Sequence, residues 1–307
     1  MSMPKFRIIS KSGEGLALAL RIAEEGFYVD FWLPDTIPPF LTWKNPICGM
    51  SQVADWHEGL DDETIVIFDS PGSGKAAVGI KNVWGAGTFN DVLQFDREFG
   101  LKIARLYQFK MPADDEEVEG SAVCLQAWYV MGQLVPNSLF STIERNGSVI
   151  GWFWPPKRRR DIETTATIYR HTLHKMAPFL ETNKFCGPLC VRTVIGKEDG
   201  LPYFYGFETG LRYPAIYAMA EVLDGWGDMI AAMSTGEMPK LQPSHDWIGY
   251  FGAGVVHVTG KDSNIAALLD SAKATAGQIR VGYNAISRIE DLDCENTVEL
   301  LKRWKYF

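Results

Sequence analysis

Cys186-Gly187-Pro188-Leu189-Cys190-Val191-Arg192-Thr193-Val194-Ile195, a short loop, then Pro202-Tyr203-Phe204-Tyr205-Gly206-Phe207-Glu208 is the stretch on which the fold turns. β-Branched and aromatic residues suit a pleated, half-buried surface. The pattern predicts two adjacent strands, with an acidic residue delivered at the end of the second. Ahead of them, Asp161 to Leu180 carries Ile168, Leu173, Met176 and Leu180 at helical spacing, which predicts one long amphipathic helix. Further upstream, Ala122 to Val130 and Gln133 to Val135 read as strands, Val149 to Trp154 is aromatic, and Pro155 to Arg160 breaks the chain. Downstream, Tyr213 to Leu223 and Trp226 to Ser234 read as helices; Val255 to Val258 as a strand; and Ser263 to Ala276 as a helix.

The N-terminal third has a different rhythm. Phe6 to Ser10 is a buried strand, Lys11-Ser12-Gly13-Glu14-Gly15 a glycine-rich turn, and Leu16 to Glu25 a helix stopped by Gly26. Tyr28 to Leu33 is the next strand, so the segment is a βαβ unit with a phosphate-type loop at its first turn. Thr64 to Asp69 is another strand, running into Ser70-Pro71-Gly72-Ser73-Gly74-Lys75. Asn82 to Trp84 is a shorter strand followed by Gly85-Ala86-Gly87, and Asp96 to Leu106 is helical.

Composition bounds the function. The 307 residues are 46% hydrophobic and 22% charged, enough for a full core and two or three lobes. A net charge of −8 argues against general nucleic-acid binding, because a phosphate backbone rewards positive surface. No apolar run reaches membrane-spanning length and no signal-peptide pattern opens the chain. The five cysteines, an odd number without a pairing pattern, fit buried thiols in a reducing cytoplasm.

Several residues are candidate ligand contacts. Ser12, Gly13 and Gly15 sit where backbone N–H groups at a helix N-terminus can cradle a phosphate; a tight turn that needs glycine is the bland reading. Ser70, Gly72, Lys75 and Gly87 fall at the C-terminal ends of parallel strands, where α/β domains bind ligands, with Lys75 as an anion contact; solvated loops are the alternative. Lys157 to Arg160 is either a contact to a nucleotide phosphate or RNA, or a solvated charge run. His171 and His174 lie three apart with no third metal ligand, and Cys186 and Cys190 lack the two-residue gap of zinc and redox motifs.

Taken in order, these segments resemble phosphoribosylamine–glycine ligase (glycinamide ribonucleotide synthetase), a family of the ATP-grasp superfamily. The resemblance rests on Ser10-x-Ser12-Gly13-x-Gly15-Leu16 with Glu25-Gly26, on Asp96-Arg97-Glu98-Phe99-Gly100, and on Val118-Glu119-Gly120 ahead of a strand containing Trp128. It continues through the hairpin, Tyr213-Pro214-Ala215, Val256-x-Val258-Thr259-Gly260 and Trp304-Lys305-Tyr306. It implies an α/β fold: an N-terminal parallel α/β domain over 1–110, a reduced grasp domain over 111–240 and a small C-terminal segment over 241–307. That family joins a carboxylate to an amine through an acyl phosphate. Magnesium held by carboxylates carries the ATP between a lid and the grasp domain.

The chain departs from that pattern. Only Met111 to Val118 stands between the Asp96–Leu106 helix and the grasp strands, where the family inserts its lid and phosphate lysine. The family's acidic position ahead of Trp128 falls on Ala122. Aligned without gaps on Tyr213-Pro214, the hairpin glutamate falls on Gly206, the second ligand on Glu208 and the arginine on Gly210; a shifted alignment makes Glu208 the first metal ligand and leaves Arg212 near the phosphate arginine. Glu208 and Arg212 are therefore either a residual metal–phosphate pair or a surface ion pair.

Two functions follow as expectations. One is a lapsed ligase: a cytoplasmic binding or scaffold protein that takes a phosphorylated small molecule. It meets a protein partner or a second copy through its former ATP face, with Trp128 and Trp152 to Trp154 as the aromatic surface. It needs no cofactor. The other is a working carboxylate–amine ligase that uses Mg-ATP with a lid supplied in trans.

Overall fold

A computed structural model of the chain describes residues 3–34, 49–113, 117–145, 148–154, 163–210, 215–244, 247–253, 256–262, 280–281 and 284–285. The first sheet is parallel and holds β1 (Lys5–Ile9), β2 (Tyr28–Trp32), β3 (Met50–Val53), β4 (Ile65–Phe68) and β5 (Asn82–Trp84), in the order β3-β2-β1-β4-β5. β1 and β4 are buried almost throughout because helices and loops cover both faces, which is why they read as continuous apolar runs. Helix α1 (Leu16–Glu24) crosses from β1 to β2. It buries Leu18, Ala19, Ile22 and Ala23, at the spacing of one helical face.

Helices α2 (Thr88–Phe95) and α3 (Arg97–Leu106) lead to the second sheet. Asp96 caps α3, its side chain accepting the Phe99 N–H at 2.9 Å. The sheet comprises β6 (Gly120–Val130), β7 (Gln133–Leu134), β8 (Leu139–Arg145), β9 (Ser148–Trp154), β10 (Gly187–Gly196), β11 (Pro202–Thr209), β12 (Trp247–Ala253) and β13 (Val256–Asp262). Its order is β11-β10-β6-β8-β9-β12-β13, with β7 paired to β6 and every pairing antiparallel. Helices α4 (Glu163–His171) and α5 (Ala177–Thr182) precede the β10–β11 hairpin, and α6 (Ala215–Val222) and α7 (Trp226–Ser234) follow it; β14 (Arg280–Val281) and β15 (Asn284–Ala285) form a separate ribbon.

The period of two along β6 divides the core. Val123, Leu125, Ala127 and Tyr129 join α3, α4, α5 and the hairpin in one apolar cluster. Trp128 and Val130, on the other face, join β1, β2, α1, α6 and α7 in a second. That second cluster glues the two sheets together.

Two expectations change. The helix over 161–180 is two helices separated by a turn over 172–176. Pro178 stands at the start of α5, where its missing N–H is harmless, but it could not sit inside a continuous helix. Trp128 is 0% exposed and packs between Trp84 and Trp226, so it belongs to the inter-sheet core and offers no surface to a partner. The side chains of Trp152 to Trp154, the loop Lys157 to Arg160 and the helix expected over Ser263 to Ala276 lie outside what is described.

Candidate functional site

The loops after β1, β4 and β5 converge at one mouth, as parallel topology requires. Close backbone approaches fix them. A Cβ at Gly74 would lie 2.5 Å from the Gly87 carbonyl carbon, and one at Gly15 would lie 2.9 Å from Asp69 Oδ2. The mouth therefore brings together Ser12, Gly13, Gly15, Ser70, Gly72, Lys75 and Gly87. Ser12, Gly72 and Lys75 are exposed at its rim.

The mouth already contains carboxylates on its backbone donors. Gly15 N–H donates to Asp69 Oδ2 at 2.7 Å, and Ser10 Oγ donates to the same oxygen. Gly13 N–H donates to Ser10 Oγ at 2.9 Å, and Ser70 Oγ donates to Asp69 Oδ1 at 2.7 Å. Across the opening, Asp91 at the start of α2 accepts Gly72 N–H at 2.6 Å and Gly74 N–H at 2.7 Å. Lys11 Nζ reaches the Gly72 carbonyl at 3.2 Å. Burial raises the Asp69 carboxyl above its ordinary range, against the opposing pull of the Ser10, Ser70 and Gly15 hydrogen bonds. Glu14 is raised too, first by burial and then by the Asp69 charge.

The hairpin reaches this mouth at Gly210, where a Cβ would lie 3.7 Å from the Asp69 carbonyl oxygen and from Pro71 Cδ. Behind Gly210, strand register lays out the sheet face. Glu208 lies opposite Cys190, which lies opposite Gln126; Gly206 lies opposite Arg192, which lies opposite Cys124; and Ala122 lies opposite Val194. Arg192 Nε stands 3.5 Å from Glu208 Oε1, with the arginine half exposed and the glutamate mostly covered. Arg212 lies outside the described residues.

The described part of this face differs from the carboxylate set that the resemblance implies. Magnesium takes one or two carboxylates together with phosphate oxygens. Among these register positions the acid is Glu208, with a guanidinium beside it, and Ala122 and Gly206 carry no side-chain oxygen. Among the described residues no three His, Cys, Asp or Glu side chains are grouped to hold a metal. The His174 ring lies tilted against Tyr169 with centroids 5.5 Å apart, and burial lowers the His171 pKa, helped by the charges of Lys175, Arg170 and Lys110. Cys186 and Cys190 form no disulfide; the Cys186 thiol accepts the Met131 N–H at 3.2 Å.

Sequence reasoning passed over Asp91 and Arg192. Nothing local marks Asp91, which reaches the mouth only through the packing of α2. Arg192 was findable, since antiparallel register places it on the Glu208 face once the hairpin is drawn.

A parallel α/β sheet joined to an antiparallel sheet is the fold this chain shares with ATP-grasp ligases. Among solved structures, the chain is similar to phosphoribosylamine–glycine ligase from Thermotoga maritima, with TM-score 0.64 and 12% identity over 88% of this chain and 95% of that one. It is also similar to N5-carboxyaminoimidazole ribonucleotide synthetase from Thermotoga maritima, with TM-score 0.59 and 12% identity over 89% and 98%. A third likeness is to L-amino acid ligase from Bacillus licheniformis, with TM-score 0.55 and 12% identity over 82% and 80%. No family model and no curated protein matches the sequence. Among the described residues no helix is long and apolar enough to cross a membrane.

Proposed function

We propose that this chain is an ATP-grasp-type protein of glycinamide-ribonucleotide-synthetase descent whose ligase chemistry has lapsed and which now acts by binding. The observation that carries this reading is the Arg192–Glu208 pair. It sets a cation beside Glu208, where the resemblance expects carboxylates around magnesium. Each lost electrostatic donor on a transferring phosphoryl group costs about 2.7–4 kcal/mol of transition-state stabilisation. Losing the lid lysine and a metal ligand together would cost about 5–8 kcal/mol if the effects add.

In this reading the mouth around Ser12, Gly13, Gly15, Ser70, Gly72, Lys75 and Gly87 is the ligand site of the N-terminal domain. Asp69 and Asp91 already take several of its backbone donors. A phosphorylated ligand would therefore draw on Lys75, Lys11 and the rim. The divisions at 110 and 240, a cytoplasmic home and an interaction with a partner or a second copy belong to the same proposal.

The fold neighbours are carboxylate–amine ligases, which favours the rival reading of an active ligase. Phosphate release measured with Mg-ATP, glycine and phosphoribosylamine decides between them. The proposal expects no release above a no-enzyme control. Turnover that depends on all three substrates would contradict it.

A further inference from the structure

Asp91, in the first turn of α2, lays its carboxylate on the loop that follows β4. Its Oδ1 accepts Gly72 N–H at 2.6 Å and its Oδ2 accepts Gly74 N–H at 2.7 Å. Both oxygens of one anion thus sit on two backbone donors of one glycine-rich loop. Backbone nests hold oxyanions in this way, and a phosphate presents oxygens of the same kind. Gly72 has a φ of +87°, the left-handed conformation that such a concave turn uses. Lys11 Nζ, 3.2 Å from the Gly72 carbonyl, adds a cation at the edge.

Contacts besides Asp91 hold the loop in shape. Gly74 presses on the backbone of Gly87 and Thr88, where a Cβ would come within 2.5 Å. Ala77 N–H donates to the Ser73 carbonyl at 3.0 Å, and Val78 N–H to the Lys75 carbonyl at 3.3 Å. Asp91 is half-buried and Gly72 is exposed, so this carboxylate has a way out into water. Asp69, on the Gly15 N–H, is 2% exposed and has none.

We propose that Asp91 is a built-in competitor: it occupies an anion nest made by the Gly72 and Gly74 N–H groups, and a phosphate group enters that nest only by displacing it. This rests on the reading of the mouth as the site of a phosphorylated ligand. A phosphate meets Lys75 and Lys11 at the rim first. Asp91 then holds its affinity down by occupying the donors, and by like-charge repulsion once displaced.

Inorganic phosphate titrated into the ¹⁵N-labelled full chain, read on the amide resonances, tests this. Asp91→Asn turns one accepting atom into a donor against the nest, and Asp91→Ala removes the competitor. Each should bind phosphate about tenfold tighter or more than the unaltered chain, because two charge-assisted hydrogen bonds become available. The Gly72 and Gly74 amides should move most. Glu14→Gln removes a neighbouring charge without freeing these donors and should gain less. Equal affinity in the Asp91 variants and the unaltered chain, or an equal gain from Glu14→Gln, would overturn the competitor while leaving the mouth a phosphate site. No binding by any of these chains would overturn the phosphate reading of the mouth along with it. If neither Asp91 variant folds, the unaltered chain decides. Saturating phosphate should then shift the Gly72 and Gly74 amides and the Asp91 carboxyl carbon, and shifts confined to Lys11 and Lys75 would overturn the proposal.

Discussion

The Gly15 backbone N–H donates to Asp69 Oδ2 at 2.7 Å, so a carboxylate from the end of β4 holds the N-terminus of α1. This is where a helix start favours negative charge, and here the protein supplies that charge itself. Gly15→Ala forces a Cβ to within 2.9 Å of that oxygen. Overpacking of this kind costs about 1–3 kcal/mol. Urea denaturation should place Gly15→Ala in that range. Asp69→Asn should fall alongside it, because its amide turns one accepting atom into a donor against groups that already donate.

Glu25 ties α7 to α1. Its carboxylate accepts Gly225 N–H at 2.9 Å, Trp226 N–H at 3.0 Å and Gly227 N–H at 2.9 Å. Glu25→Ala should lower stability by about 1–2 kcal/mol, as loss of a cap does, with Glu25→Gln recovering part of it. Asp224→Asn, which removes only the exposed ion pair to Arg21, should be close to neutral in the same thermal unfolding series.

Arg7 and Asp30 form a buried pair, Arg7 Nη2 lying 2.5 Å from Asp30 Oδ2, and Arg7 Nη1 also donates to the Trp56 carbonyl at 2.8 Å. Asp30→Ala strands the guanidinium and should cost about 3–5 kcal/mol. The double change Arg7→Met with Asp30→Leu should cost less than that single change. Equilibrium denaturation of the three chains reads the difference directly.

Acid and neutral pH should act on opposite groups. Burial raises Asp69 and Glu14 above their ordinary 3.8 and 4.5. Above those values the folded chain keeps protons that the unfolded chain has released. Their contribution is full below the ordinary values and is lost as pH rises through the raised ones. Asp199 is the reverse: the Lys110 hydrogen bond leads in drawing it down from 3.8 to about 2. Its contribution is present above 3.8 and is lost as pH falls toward about 2. Stability-versus-pH curves should therefore lose part of their acid limb in Asp199→Asn. In Asp69→Asn they should lose the decline that follows as pH rises above the ordinary 3.8.

Much of this architecture was legible in the sequence. The β1–α1–β2 unit announces itself by apolar runs, a glycine turn and a single helical face, and all three signals are local. The hairpin likewise carries its own period. What failed was set by tertiary contact. Strand β8 and helix α2 lack strong local signals, and β3 is four residues long with one buried side chain. The helical spacing over 161–180 was real, but Pro178 decided where it broke. Trp128 looked like a surface aromatic because no single sequence tells which sheet face another layer will cover. The site divided the same way. The glycines of the mouth were visible, whereas Asp91 and the cation beside Glu208 needed the fold.

The most direct test of the account is calorimetric titration of the full chain with adenosine triphosphate, in the presence and absence of magnesium. The proposed loss of ligase chemistry at the Arg192–Glu208 face predicts heats no larger than dilution in both cases, and no gain from the metal. Saturable micromolar binding that requires magnesium would contradict it.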